Sequence, residues 1–108
     1  MSVMESNTID AMGVNKEKNE LSLLLTDHLD WEYEPEHLLF LQEKINAYIS
    51  FVETKQYKET YPENAFDMFI IEIHFKHDIT EGCFKFLDYV ANQVESLNIK
   101  TRVELAQE

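Results

Sequence analysis

The side chains best suited to chemistry lie in one short stretch that begins at Asp27 and ends at His37. This stretch reads DHLDWEYEPEH and has five carboxylates and two histidines but no Lys or Arg. Clustered carboxylates repel one another, and a divalent cation would relieve that repulsion. A metal site in a small metal-dependent enzyme is therefore one hypothesis, in which a histidine acts as acid or base. The candidate ligands are Asp27, His28, Asp30, Glu36 and His37.

The spacing of these residues matches no common metal motif. The stretch lacks the glycine of a calcium-binding loop and the HExxH pattern of a zinc helix. A solvated acidic turn before a helix is one alternative, because runs of like charge usually face water. A surface for a basic partner protein is another, since an acidic patch steers such a partner. The candidate partner-binding residues are Asp27, Asp30, Trp31, Glu32 and Glu34.

Trp31 is the only tryptophan of the chain and has two interpretations. An aromatic side chain ringed by polar groups can anchor a partner protein. In the other interpretation the indole folds back over the start of the following helix and covers Leu38 or Leu29, because large aromatic side chains are mostly buried.

Cys83 is the only cysteine, so an intramolecular disulfide is excluded and a cytoplasmic location is predicted. A position near a helix start can favour a thiolate, but Cys83 falls on an apolar stripe beside Phe84 and Leu87, which indicates a structural cysteine. The chain has no glycine-rich phosphate loop, no GxSxG and no CxxC. No cofactor is therefore expected.

Two further sets of side chains have structural interpretations. His74 and His77 are three residues apart in a predicted strand segment, so they point to opposite faces and chelate poorly. His74 is instead predicted to be exposed on the polar face of the sheet, where it could tune an interface with pH. Three tyrosines are predicted to hold the loop 55–65 against the first helix: Tyr48, Tyr57 and Tyr61.

Length and charge limit the possible functions. The 108 residues predict one domain over 1–108, with residues 1–6 disordered, and 44% apolar residues suffice for a core. Nine Lys and Arg against 21 Asp and Glu give a net charge of −12. This charge argues against nucleic-acid binding and against anionic membranes, because phosphate groups are recognised by Lys and Arg. No apolar run is long enough to cross a membrane, and the N-terminus does not resemble a signal peptide.

Hydrophobic periodicity predicts the elements that must position these side chains. Alternating apolar residues predict strands over 8–14, 21–26, 66–76 and 99–105. Apolar spacing of three and four predicts a helix over 35–54 and a second one before Asn98, which is a suitable C-cap. Asp78 and Thr80 are alternative N-caps of that second helix.

This order predicts an α+β fold, β-β-α-β-α-β along the chain, with a four-stranded mixed sheet and two helices packed on one face. Strands one and two should form an antiparallel hairpin, and strands three and four should run parallel around a helix. The other sheet face combines polar residues with apolar ones, which is typical of a homodimer surface. The candidate dimer-face residues are Leu24, Ile70 and His74.

Three segments carry a family resemblance: NTIDAMGV, LSLLLTDHLDW and EHLLFLQEKINAYISFVE. The chain resembles a family of small acidic bacterial proteins of unknown function, in which a strand hairpin leads into a TDHLDW-like segment and then a helix. The matching residues are Thr8 to Asp10, Thr26 to Trp31 and Leu41 to Tyr48, so the resemblance covers the first half of the chain. It implies a stand-alone bacterial protein and a shared role for Asp27 to Trp31, in folding or in function.

The residues favour a non-enzymatic acidic protein that binds a protein partner or associates with itself. Charge complementarity favours a basic partner. The metal-dependent enzyme built on the cluster from Asp27 to His37 is the alternative. The attraction for a basic partner requires that no internal cation neutralises residues 27–36. The cations that could do so are Lys44, Lys85 and Arg102.

Overall fold

An antiparallel hairpin and two strand–helix–strand units build the protein. The computed structural model describes residues 9–105. The strands are β1 (Ala11–Asn15), β2 (Glu20–Asp27), β3 (Met68–Phe75) and β4 (Ile99–Leu105). The helices are α1 (Glu34–Glu53) and α2 (Glu81–Val94), and short 3-10 turns follow them at Gln56–Glu59 and Glu95–Leu97.

The sheet order is β1-β2-β3-β4, which confirms the predicted mixed sheet. β1 and β2 pair antiparallel, whereas β2–β3 and β3–β4 are parallel pairs joined through α1 and α2. Both crossovers step in the same direction along the sheet, so connections of one hand place both helices on the same face.

The core lies between that face and the two helices. Odd-numbered residues of the two central strands point inward, including Leu23 of β2 and Ile71 of β3, and both are fully buried. They pack against the apolar stripes of the helices, represented by Leu41, Ile45 and Leu87. The period of two in the strands and of three to four in the helices therefore identified the core correctly.

Helix ends follow local side-chain chemistry. Of the two predicted N-caps of α2, Thr80 is the one observed: its hydroxyl accepts the Cys83 N–H at 3.0 Å. Asn98 was predicted as the C-cap of the second helix, but α2 ends at Val94 with Glu95 as its C-cap. Asn98, with φ 61°, instead ends the 3-10 turn that follows α2. α1 starts without a side-chain cap, but Pro35 lies in its first turn and Glu34 and Glu36 complement the helix dipole there.

The loop between α1 and β3 is held by aromatic contacts. The ring of Tyr57 packs against Phe66 and Phe69, and the ring of Tyr61 packs edge-on against Phe66. Tyr48 was predicted to join this group, but its hydroxyl donates to the Leu24 carbonyl of β2 instead. Its place on the inward face of α1 directs it to the sheet rather than to the loop.

The predicted disorder of residues 1–6 and the predicted strand start at Thr8 lie outside the described residues. Within residues 9–105, no helix combines the length and the apolar character needed to cross a bilayer.

Candidate functional site

Asp27 ends β2 with its side chain on the inward face. It is 2% exposed, and its Oδ1 accepts the Leu29 N–H at 3.1 Å. Its Oδ2 lies 2.5 Å from Nε2 of His37, in the first turn of α1. Asp27, the first of the predicted metal ligands, is therefore hydrogen-bonded in the protein interior.

His37 is held at both ring nitrogens. Its Nδ1 lies 2.9 Å from the Asp30 carbonyl oxygen. A carbonyl can only accept, so Nδ1 carries a proton, and a second proton lies between Nε2 and Asp27. The pair is therefore electrically neutral as a unit. It joins the end of β2 to the start of α1, with the intervening turn closed around it.

Trp31 covers this pair. Its ring stacks on the His37 ring at 3.7 Å between centroids and 17° between planes, and Phe75 lies 6.2 Å away. The indole Nε1 is buried and has no hydrogen-bond partner among the described residues. The indole thus folds back over the helix start, as one interpretation had it, and its ring stacks on His37.

Cys83 of α2 is buried close to the connection between β2 and α1. Burial, together with the smaller effects of the Asp27 and Glu34 charges, raises the pKa of its thiol to about 12. Glu34 also meets α2, because a Cβ added to Gly82 would lie 3.2 Å from its Oε2. The first turns of α1 and α2 therefore touch at this end of the sheet, and the thiol is kept protonated.

The remaining acids of the stretch face water. Asp30, Glu32 and Glu36 are exposed and Glu34 is half-buried. Asp30 shapes the turn, since its Oδ1 accepts the Glu32 N–H at 3.0 Å. Within residues 9–105, none of these four acids forms an ion pair with Lys or Arg.

The cations that could have neutralised the stretch pair with acids elsewhere. Lys44 lies 3.0 Å from Asp10, Lys85 3.4 Å from Glu81, and Arg102 3.8 Å from Glu72. Three exposed acids and the half-buried Glu34 therefore form a net negative surface, which we call the acidic turn: Asp30, Glu32, Glu34 and Glu36.

A small recess adjoins the acidic turn. It has a volume of about 120 Å³ and is lined by Asp30 and Glu36, by the edge of His37, and by apolar groups from Leu29, Tyr33 and Phe40. Tyr33 is 66% exposed. Two carboxylates beside two aromatic rings are complementary to a guanidinium or ammonium group.

The five predicted metal ligands do not converge. Asp27 and His37 hydrogen-bond to each other, whereas His28 is exposed and lines a cavity of about 260 Å³ with Asp27, His74 and Glu104. Within residues 9–105, no group of three His, Cys, Asp or Glu side chains is placed to hold a metal ion. His74 is exposed, as predicted, and its Nε2 lies 2.9 Å from Glu72.

The predicted dimer face is only partly accessible. Leu24 is half-buried and His74 is exposed, but Ile70 is 3% exposed. A side chain so buried offers little area to a second molecule, so the centre predicted for this face is already covered.

Sequence reasoning missed a buried polar network at the middle of α1, on the same inward face as His37. Lys44, which is 0% exposed, donates to Asp10 Oδ1 at 3.0 Å, and Asp10 Oδ2 accepts both the N–H and the hydroxyl of Thr26. The Tyr48 hydroxyl donates to the Leu24 carbonyl and accepts the Asp10 N–H at 3.0 Å. A signal existed: Lys44 interrupts the apolar stripe between Leu41 and Tyr48, where a lysine must be paired.

Comparison with known proteins identifies a family but no activity. The model of a family of unknown function, DUF6572, matches residues 1–107, so the chain belongs to that family. No curated protein and no solved structure matches the chain. The bacterial origin and the TDHLDW signature inferred from the resemblance stay predictions.

Proposed function

We propose that this member of the DUF6572 family is a non-enzymatic binding protein that recognises a basic partner protein through its acidic turn. The observation that supports the proposal is the exposure of Asp30, Glu32 and Glu36 without a Lys or Arg partner within residues 9–105. Charges that the fold does not neutralise steer an oppositely charged protein and set its orientation.

The recess beside the acidic turn supplies the specific contact in this proposal. An Arg or Lys side chain of the partner lies between the rings of Tyr33 and Phe40 and pairs with Asp30 and Glu36. Cation–π contact and charged hydrogen bonds would act together there. Asp27 and Trp31, two of the predicted contact residues, serve this surface indirectly, because they hold the turn against α1.

The proposal places the protein in the bacterial cytoplasm. The family resemblance supports the bacterial origin, and a single buried thiol suits a reducing compartment. No observation favours the metal-dependent enzyme as a second function, since Asp27 and His37 use their polar atoms on each other.

Pull-down experiments at low and high salt test this function. The bait is the wild-type protein or a triple variant, Asp30→Asn with Glu32→Gln and Glu36→Gln, which keeps the shape of the turn. A matched control neutralises three exposed acids elsewhere: Glu17→Gln, Glu53→Gln and Glu95→Gln. We expect the wild type and the control to retain the same basic protein at low salt and to release it at high salt.

The triple variant should bind that protein at least about tenfold more weakly. A tenfold loss of affinity corresponds to about 1.4 kcal/mol, and the loss of several charged contacts is enough to cause it. Equal retention by all three baits would refute the acidic turn as the contact surface. Retention that does not depend on salt would refute the electrostatic mechanism.

A further inference from the structure

β4 leaves one of its edges open. It is the last strand of the sheet, and within residues 9–105 no strand pairs with its outer edge. The Asn98 carbonyl accepts the Phe69 N–H at 2.9 Å, and Phe69 is level with Ile99. In a parallel pair, alternate residues bond to the neighbour. Even-numbered residues of β4 therefore bond to β3, and odd-numbered ones direct N–H and C=O outward: Thr101, Val103 and Leu105.

Apolar groups border this edge. Val103 and Leu105 are 38% and 44% exposed on the helix side of the sheet, and Phe84 of α2 is 62% exposed. Phe84 and Val103 line a groove of about 330 Å³ between α2 and β4, together with Ile79, Leu87 and Ala91. Exposed edge strands with apolar side chains are normally paired or covered, because they attract other strands.

The opposite side of β4 carries charges in a self-complementary order. Lys100, Arg102 and Glu104 are all exposed. If a second β4 pairs antiparallel with Val103 opposite Val103 of the partner subunit, Arg102 lies opposite Glu104 of the partner subunit. The two-fold symmetry repeats this pair, and the outward backbone groups of both strands meet.

Neighbouring registers are worse. A slide of two residues one way sets Arg102 opposite Arg102 of the partner subunit at the axis, although Lys100 then lies opposite Glu104 of the partner subunit. A slide the other way sets Glu104 opposite Glu104 of the partner subunit. Like charges directly opposite each other destabilise a strand pair. A slide of one residue sets the outward N–H and C=O groups of one strand opposite residues whose own N–H and C=O groups point away from it, so the two strands do not hydrogen-bond.

We propose that two copies of this chain associate through antiparallel pairing of their β4 strands, with Val103 on the two-fold axis. The two sheets join into one, and the grooves between α2 and β4 come together on the same side of it. This edge is distinct from the predicted dimer face, whose central residue Ile70 is buried. The inference does not depend on the acidic turn.

Sedimentation equilibrium over a wide concentration range tests the proposal. The wild type should be a dimer, whereas Arg102→Glu and Glu104→Arg should each weaken self-association about tenfold or more, because each sets like charges opposite each other. The double variant Arg102→Glu with Glu104→Arg restores the opposite charges in the same register and should recover the dimer.

Two control variants and one backbone variant make the test specific. Lys16→Glu and Glu17→Arg change the charge equally in the exposed turn at the far edge of the sheet and should leave the dimer intact. Val103→Pro removes an outward N–H that the monomer sheet does not use, so it should keep the circular dichroism spectrum and abolish the dimer. A monomeric wild type, a double variant that stays monomeric, or an unfolded Val103→Pro protein would each overturn the proposal.

Discussion

At the scale of single residues, the stretch DHLDW divides between folding and surface. Asp27 and His37 bond to each other, and Trp31 stacks on His37. His28 and Asp30 instead face water, although the Asp30 backbone and carboxylate both shape the turn. Adjacent residues of this stretch are thus divided between the interior and the surface, because the chain reverses direction between β2 and α1.

Replacing His37 should cost the fold much of its stability. In His37→Leu the Asp27 carboxylate stays buried without its charged partner, and we expect a loss of about 3–5 kcal/mol in the free energy of unfolding. Urea denaturation followed by Trp31 fluorescence measures it. His28→Leu changes an exposed histidine nearby and should shift the free energy by about 0.5 kcal/mol or less. Equal effects of both substitutions would contradict the buried pair.

Cys83 should be unreactive in the folded protein. Burial, with the charges of Asp27 and Glu34, raises its pKa from 9.0 to about 12, so at pH 8 the thiolate fraction falls roughly a thousandfold. A coloured disulfide reagent should therefore label the native protein slowly and the urea-unfolded protein at once. Fast labelling of native protein, at a rate that does not depend on unfolding, would contradict this prediction.

At the scale of elements, α1 is tied to the sheet at two points along its length. The Asp27–His37 pair fixes its first turn, and the network of Asp10, Lys44 and Tyr48 fixes its middle. Burial raises the pKa of the Tyr48 hydroxyl above its ordinary value; the hydrogen bond from the Asp10 N–H opposes this rise, and the Asp10 charge adds to it. Polar bonds in the core hold α1 in one register on β2, because a slide would leave them unpaired.

Removing the Tyr48 hydroxyl tests the second tie. Tyr48→Phe leaves the Asp10 N–H and the Leu24 carbonyl without this partner, so we expect a loss of about 1–3 kcal/mol. Guanidinium denaturation provides the measurement. Tyr89→Phe, at a tyrosine that is 63% exposed, is the matched control and should be neutral. If the two substitutions have the same small effect, the hydroxyl does not stabilise the packing of α1.

The start of α2 offers a comparison of two caps. Thr80→Ala removes the hydroxyl that accepts the Cys83 N–H and should destabilise the protein by about 0.5–2 kcal/mol. Asp78→Ala should change little, because Asp78 lies outside the observed cap. Thr80→Ser should keep most of the stability. Thermal unfolding ranks the three variants, and a larger loss in Asp78→Ala would place the cap two residues earlier.

At the scale of the whole molecule, charge is unbalanced and apolar edges are left open. The net charge is −12, and the ion pairs of the described residues leave the acidic turn without a cation. β4 and Phe84 present apolar groups at one edge of the sheet. The two proposals therefore concern different surfaces: one attracts a partner of opposite charge, and the other matches a second copy.

The overall charge should also set how salt affects folding. Like charges repel more strongly in the compact state than in the unfolded chain, and salt screens that repulsion. We therefore expect the melting temperature at pH 7 to rise by a few degrees as NaCl increases from about 10 mM to about 200 mM, since about 1 kcal/mol shifts a domain of this size by about 4–8 °C. An uncharged osmolyte at equal osmolality separates screening from solvent exclusion. A melting temperature that falls with NaCl would show that ion pairs, rather than repulsion, dominate.

Local sequence patterns were enough to predict the helices, the strands and the side of each that faces the core. Alternation at Leu21, Leu23 and Leu25 and the three-and-four spacing of Leu41, Ile45 and Tyr48 are local patterns, because backbone geometry repeats over short distances. The fold class and the pair of possible N-caps before α2 followed from such patterns.

The pairing of polar side chains, in contrast, depends on how the helices and strands pack in the tertiary structure. In the sequence, Asp27 and His37 belong to one acidic cluster, but in the structure they hydrogen-bond to each other in the interior. Asp10 and Lys44 also form a hydrogen bond, although 34 residues separate them along the chain. The burial of Ile70 and the open edge of β4 depend on strand order and on what covers each face. Long-range contacts of this kind are set by how the elements pack, and no local spacing encodes them.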